Sequence, residues 1–296
     1  MKVRQRILFV IMLLLGIFML YPLLFALFAS LSDLGEYYQA RFLPVPKEFW
    51  KHFDNYVLVF RNSRLTRSLG ITLMRTVYSF FITTFTSYIG GYVFAKLKFP
   101  FKRFCFLFLI TSMMIPGVAL FVPNYIWLAR FPLVGGNDIT GNGGTGYIDN
   151  PLMLIFLSGW IQPYNIYLFR QTLYSLGNEM KEAAEVDGAS LFTVMFRVYF
   201  PLCSPIVAVI LLAAIVGNWS EYVGNTIYLR GRSEWWTVGN IIYGLIDEFS
   251  SIARTGGPDY PKAFATAMVS IVPPVLTYIL LQRYVTEGLT AGAVKG

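Results

Sequence analysis

Residues able to make or break bonds are sparse in this chain. His52 is its one histidine, and the two cysteines, Cys105 and Cys203, stand far apart without a C-x-x-C spacing. A zinc or iron centre needs several such ligands converging on a point, and a serine hydrolase needs a base beside a G-x-S-x-G nucleophile. Neither a metal site nor a catalytic residue is therefore expected. Both cysteines read as small apolar packing residues. A phosphate loop is the next possibility, since Gly136 and Gly141 in GGNDITGNGGTG have the separation of the glycines in G-x-x-x-x-G-K-[ST]. Asn142 and Gly143 stand where a lysine and a hydroxyl would reach phosphate and magnesium, so no nucleotide site and no cofactor is expected in this chain.

The remaining polar chemistry is hydrogen bonding and charge pairing, and much of it lies inside apolar sequence. Of 296 residues 56% are apolar and only 14% charged, where an ordinary soluble domain carries about 25% charged residues. Mean hydropathy is +0.56. Six stretches, 7–31, 76–95, 104–129, 150–169, 198–220 and 263–282, contain no Asp, Glu, Lys or Arg. A helix needs about 20 residues to cross roughly 30 Å of hydrocarbon, so each is read as a transmembrane helix. Residues 8–15 and 207–216 are apolar on every face, which excludes barrel strands with their alternating pattern. The expected fold is an all-α polytopic membrane protein with six transmembrane helices in a single domain, 1–296. A cleaved signal peptide competes for 1–31, but the apolar run is too long and 30–36 has no clear small-x-small cleavage site.

The formal charge of +8 is not one basic run, so nucleic acid is not an expected partner. Lys2, Arg4 and Arg6 precede the first span, and Lys96, Lys98, Lys102 and Arg103 crowd the link after the second. By the positive-inside rule both termini are cytoplasmic. The first external loop breaks the pattern with Arg41, Lys47, Lys51, Arg61, Arg64 and Arg67. Phe49, Phe53, Tyr56 and Phe60 recur there at spacings of three or four, as in a helix lying in the interface. The link 130–149 is a glycine-rich external loop. Within 223–262 the piece WWTVGNIIYGLI is too short to span and reads as a short helix at the outer face.

The cytoplasmic link 178–201, NEMKEAAEVDGASLFTVMFRVYFP, is the most patterned segment. Residues 180–187 favour helix, Gly188 can take the left-handed conformation that closes it, and Ser190 can cap a second helix ending near Pro201. Leu191, Phe192, Met195 and Phe196 would share one apolar face of that helix. The face packs on the protein's own helix ends, lies among headgroups, or enters the groove of a cytoplasmic protein.

Glu182, Ala183 and Ala184, then Gly188, Val198, Phe200 and Pro201, resemble the EAA loop of ABC importer permeases, with Val and Phe for the usual Ile and Leu. The tail QRYVTEGLTAGAVKG, 282–296, and NWSEYVGNTIYL, 218–229, are similar to carbohydrate permeases of the maltose-permease MalG type. The resemblance implies the type I ABC importer permease fold in a bacterial inner membrane, importing a sugar delivered by a binding protein. It also implies a second permease subunit and two cytoplasmic ATPase subunits, which would bind the ATP and magnesium. Glu182, Ala183, Ala184, Asp187, Gly188 and the four apolar residues would dock on an ATPase, whose closure rocks the bundle. In that family the tail touches the ATPases, which extends to Leu289, Thr290, Ala291, Gly292 and Lys295. Gly288 and Gly292 leave the tail flexible, and a disordered terminus is the plain alternative.

Polar groups in hydrocarbon are costly and tend to face a bundle interior or a cavity. Trp160, Tyr164 and Asn165 in the fourth span, Asn218, Trp219, Glu221 and Tyr222 in the fifth, and Asn124 and Tyr125 in the third form a candidate saccharide path. There, rings would cover sugar C–H faces beside amides that bind hydroxyls. The alternative is that these groups join helix to helix; the two readings weigh equally for Trp160, Asn165 and Asn218, and for Gln162 joining is the preferred one. Glu221 needs a partner, which Arg75 or a neighbouring subunit could supply. An oligosaccharide, neutral or acidic, is the expected solute. An ion-coupled secondary transporter would show inverted repeats or mid-span ionisable groups, and a membrane enzyme would need a cluster of acids or histidines; neither pattern is present.

Overall fold

The computed structural model describes residues 2–48, 50, 53–156, 159–251 and 258–293. In chain order the helices are α1 Lys2–Ser30, α2 Leu34–Gln39, α3 Asp54–Arg61, α4 Ser63–Lys96, α5 Lys102–Ser112, α6 Phe121–Ala129, α7 Met153–Phe156, α8 Pro163–Ser175, α9 Glu179–Val186 and α10 Leu191–Thr193. A π-helical turn, Val194–Tyr199, follows, and then come α11 Phe200–Leu202, α12 Ser204–Trp219, α13 Val223–Tyr228, α14 Val238–Ser250 and α15 Tyr260–Ala293. No strand occurs among the described residues.

Apolar side chains point outward along much of this surface. Phe18 and Met19 in α1 are each 77% exposed, and Phe104, Phe108 and Leu280 stand out similarly from α5 and α15. In water such faces would associate, whereas in hydrocarbon they are solvated. Two helical segments, Arg4–Ser30 and Tyr260–Tyr284, are each long and apolar enough to cross a bilayer. Two further pairs qualify only together, Lys102–Ser112 with Gly117–Ala129, bent by 92°, and Leu191–Leu202 with Ser204–Trp219, bent by 72°.

Four of the expected spans therefore need correction. The stretch 76–95 is only the later part of α4, which begins at Ser63 and carries Arg64, Arg67 and Arg75 along its first half. The stretch 104–129 breaks before Gly117, where Pro116 takes an extended conformation. The stretch 150–169 is not one helix either: after α7 the chain turns through Gly159, with φ +64°, and extends at Gln162 before Pro163 starts α8. Proline disfavours helix in the residue before it and suits the first turn after it. Helix of the fifth stretch starts early, at Leu191, and bends at Cys203 between Pro201 and Pro205.

The chain divides into two compact units, 1–69 with 238–273 and 70–237 with 274–296. In the first, α2 starts with a capping box between Asp33 and Glu36, and its Tyr37 and Tyr38 join Phe25, Tyr260 and Phe264 in an aromatic cluster with centroids 5.5–6.4 Å apart. Asn55 Nδ2 donates to the Ser30 carbonyl at 3.0 Å, and Tyr56 OH meets Ser30 Oγ at 2.6 Å. Tyr56 thus ties α3 to α1 instead of facing outward with Phe53 and Phe60; Phe49 lies outside the described residues. The expected short helix of WWTVGNIIYGLI starts at Val238 and buries Val238, Asn240, Ile242 and Leu245.

The second unit holds two cores. In one, Leu128, Ile148, Met153, Leu154, Tyr228 and Leu229 gather beside the glycine-rich loop, which has no regular helix and is pinned by Asn137 donating to the Ala129 and Phe131 carbonyls. The other joins α4 and α8 to the π turn through Tyr88, Phe169, Leu173, Met195 and Tyr199. Gly91 lets α4 and α8 meet, since a Cβ there would lie 2.5 Å from Phe169 Cβ. Cys203 is buried and Cys105 exposed, and both are free thiols.

Candidate functional site

In the second unit the break between α7 and α8 is held by α4. The hydroxyls of Thr83 and Thr86 donate to the carbonyls of Gly159 and Trp160, at 3.3 and 2.5 Å. Irregular backbone persists in apolar surroundings when its polar groups are satisfied in this way. The break opens a cavity of about 390 Å³. Arg75, Ser79 and Thr83 of α4 form one wall, Gln162, Tyr164 and Asn165 a second, and Ile210, Ala213, Gly217 and Asn218 of α12, with Glu221 just beyond it, a third. Small residues on α12 leave the room, and Ser79 and Thr83 are neighbours one helical turn apart.

The polar wall is cross-braced. Asn218 Nδ2 donates to Ser79 Oγ at 2.8 Å and to the Ala214 carbonyl, also at 2.8 Å. Glu221 Oε1 accepts the Gly224 N–H at 2.7 Å, so the carboxylate closes the first turn of α13. Arg75 is 4% exposed, and its Nη1 donates to Asn225 Oδ1 at 3.3 Å. Asn225 Nδ2 in turn donates to Thr237 Oγ1, which donates to the Glu221 carbonyl. Arg75 thus reaches the Glu221 region through Asn225 and Thr237, and no direct ion pair joins Arg75 to Glu221.

Of the residues assigned to a solute path, Tyr164, Asn165, Asn218 and Glu221 line this cavity together. Gln162, for which joining helices is the preferred reading, lines it as well: the positive φ of Gly159 turns the chain back, so that its missing Cβ leaves room for the Gln162 amide, 2.2 Å from where that atom would be. Asn124 and Tyr125 do not reach it. Both are exposed on α6, and Tyr125 stacks on Tyr228 at 6.2 Å, because the 92° bend carries α6 away from the line of α5. Trp160 is outside as well, its carbonyl and ring nitrogen engaged with Thr86 and Ile155. Trp219, with its ring nitrogen buried, and Tyr222, at the start of α13, do not line it. Sequence could have flagged Ser79 and Thr83 by their four-residue spacing on a polar stripe of α4.

The second site is the turn after α9. Gly188 has φ +79°, its N–H meets the Glu185 carbonyl at 3.0 Å, and the Ala189 N–H meets that of Ala184 at 2.9 Å. This is a Schellman closure, with the left-handed residue that L side chains adopt at a cost. Ser190 Oγ then accepts the Thr193 N–H as N-cap. Glu182, Ala183, Asp187, Gly188, Leu191 and Phe192 are exposed around the turn, Phe192 by 70%, while Ala184 packs inward. The four apolar residues do not share one exposed face. The first turn, with Leu191 and Phe192, projects past the aromatic core, whereas the next is π-helical and wedged into it. Met195 is 7% exposed, and Phe196 stacks on Phe85 at 6.1 Å. Val186, which sequence reasoning passed over, is 88% exposed beside Gly188.

The turn stands on a rigid base. Lys96 Nζ donates to the Leu176 carbonyl at 2.6 Å and to Asn178 Oδ1 at 3.2 Å, and sits 4.8 Å above the Tyr199 ring, whose OH donates to Gly177 at 3.0 Å. The expected tail runs as helix through Gly288 and Gly292 to Ala293 instead of loosening there, each glycine costing only about 1 kcal/mol in a helix. Lys295 lies outside the described residues.

The family described as "Binding-protein-dependent transport system inner membrane component" matches residues 84–287. The arabinooligosaccharides transport system permease protein AraQ of Halalkalibacterium halodurans is 25% identical, over 82% of this chain and 79% of that one. The galactooligosaccharides transport system permease protein GanQ of Bacillus subtilis is 25% identical over 100% and 99%. Among solved structures, a chain of a bacterial ABC transporter involved in the import of the acidic polysaccharide alginate superposes with a TM-score of 0.77, at 20% identity and 96% coverage of each chain. At that identity the likeness is one of fold.

Proposed function

The chain belongs to the family of binding-protein-dependent transport system inner-membrane components, and from that premise we propose that it is the permease subunit of an ATP-driven sugar importer. Its partners are a second permease subunit, two cytoplasmic ATPase subunits and an extracytoplasmic binding protein. The solute is an oligosaccharide, the class printed in the names of AraQ and GanQ. The chain forms one transmembrane domain with six crossings: α1, α4, the bent pair at 102–129, the broken segment 153–175, the bent pair at 191–219, and α15. Both termini are cytoplasmic. ATP is bound and hydrolysed by the ATPase subunits.

The observation that carries the coupling is the exposed turn at Gly188 on a buried aromatic base. Glu182, Ala183, Asp187, Gly188, Leu191 and Phe192, with Val186, dock on an ATPase. Ala184, Met195 and Phe196 transmit its motion into α4 and α8 through Tyr88 and Phe169. The bundle then rocks between states as a rigid body, and the cavity at Arg75, Asn165, Asn218 and Glu221 receives the solute. The last turns of α15, with Leu289, Thr290, Ala291 and Gly292, and Lys295 after them in sequence, contact the ATPases.

The test is co-expression with the products of adjacent genes, purification of the assembly, and vanadate-sensitive ATP hydrolysis in proteoliposomes with and without binding protein and sugar. Stimulation by the loaded binding protein together with sugar accumulation is expected. Uptake driven by an ion gradient without ATP would refute the reading.

A further inference from the structure

The cavity presents one cation and one anion that do not touch, and we infer that it is matched to an uncharged, hydroxyl-rich sugar and rejects uronates. The inference rests on the permease reading above and adds the charge of the solute. The Arg75 Nε–H is buried and without a partner among the described residues, and Nη1 holds Asn225 only at 3.3 Å. Nε itself is sealed from the space, but Arg75 is one of the lining residues, so its charge faces the cavity. Across the same space Glu221 uses Oε1 for the Gly224 N–H and retains acceptor capacity. The other polar lining, Ser79, Thr83, Gln162, Tyr164, Asn165 and Asn218, carries no charge, so the walls sum to zero.

A sugar hydroxyl completes both ends, because it accepts from a guanidinium N–H and donates to a carboxylate. A carboxylate does not. Paired with Arg75, it would take the cation that offsets Glu221 and leave two anions and one cation in a space of about 390 Å³. Like charges sharing a confined site with little water repel far more strongly than in bulk solution. An arginine facing an acidic solute alone would indicate the opposite preference; the glutamate on another wall of the same cavity reverses it.

The test uses the full importer with its binding protein in proteoliposomes. Labelled gluco-, galacto- and manno-oligosaccharides are each compared with the uronate oligomer of the same linkage and length. Wild type is expected to carry a neutral sugar at least about tenfold faster than its uronate. Glu221→Gln keeps an acceptor for the Gly224 N–H and removes the anion, so the ratio should move about tenfold toward the uronate. Asn165→Asp adds an anion and should move it the other way. Each ratio is measured with one binding protein, so that protein's own preference cancels between variants. Uronate carried as fast as the neutral sugar by wild type, or a ratio unmoved in both variants, overturns the inference. Accumulation of neither class by an assembly that hydrolyses ATP overturns the sugar-permease reading and this inference with it.

Discussion

Gly188 and Asn218 show how differently two single residues can matter. Gly188 has φ +79° but open space where a Cβ would be. Asn and Asp tolerate that conformation better than other L residues do. Gly188→Asn should therefore cost only about 1 kcal/mol of stability, while ATP-driven uptake falls because the side chain stands in the docking face. Uptake at the wild-type rate would show that the turn touches no ATPase. Asn218 is the reverse case: Asn218→Ala removes the 2.8 Å bond to Ser79, and unfolding in detergent should shift by about 1 kcal/mol. Adding Ser79→Ala should recover little of that loss, since the Ser79 hydroxyl keeps its bond to the Thr76 carbonyl at 3.1 Å. The glycine's role could be read from its place after a run of helix formers, because the signal is local. The asparagine's partner lies 139 residues away, and no spacing rule reports it.

At the scale of elements, the coupling segment divides into a part that protrudes and a part that anchors. Phe192→Ala should leave the melting temperature unchanged and abolish stimulation of ATP hydrolysis by loaded binding protein. Phe196→Ala, losing its stack on Phe85 at 6.1 Å, should destabilise by roughly 2 kcal/mol, below a full core truncation because the ring is half buried. Equal melting losses in both variants would refute the division. A helical face drawn from sequence placed all four apolar residues together, because periodicity gives an azimuth and not a depth. How far along the helix the core extends is decided by Tyr88 and Phe169, which arrive from α4 and α8. The break before Pro163 has a similar history. Gly159 and Pro163 stand at it, but the Thr83 and Thr86 hydroxyls that make it tolerable come from another helix.

For the whole molecule, the sidedness proposed for the chain can be checked with a membrane-impermeant maleimide, with native Cys105 and Cys203 replaced. Asn142→Cys in the glycine-rich loop should label in intact cells, and Phe192→Cys only after permeabilisation; the opposite pattern would invert the topology. That the chain is helical and apolar enough for a bilayer followed from sequence, since hydrocarbon permits few backbone solutions and charge-free runs of about 20 residues show which one is taken. The EAA pattern could be read as well, because a Schellman turn and its N-cap lie within a dozen residues. Where helices bend, which polar residues share a cavity, and that Arg75 faces the space beside Glu221 without pairing with it were decided by tertiary structure. Those features depend on groups distant along the chain meeting in space, and hydropathy and local spacing carry no record of that meeting.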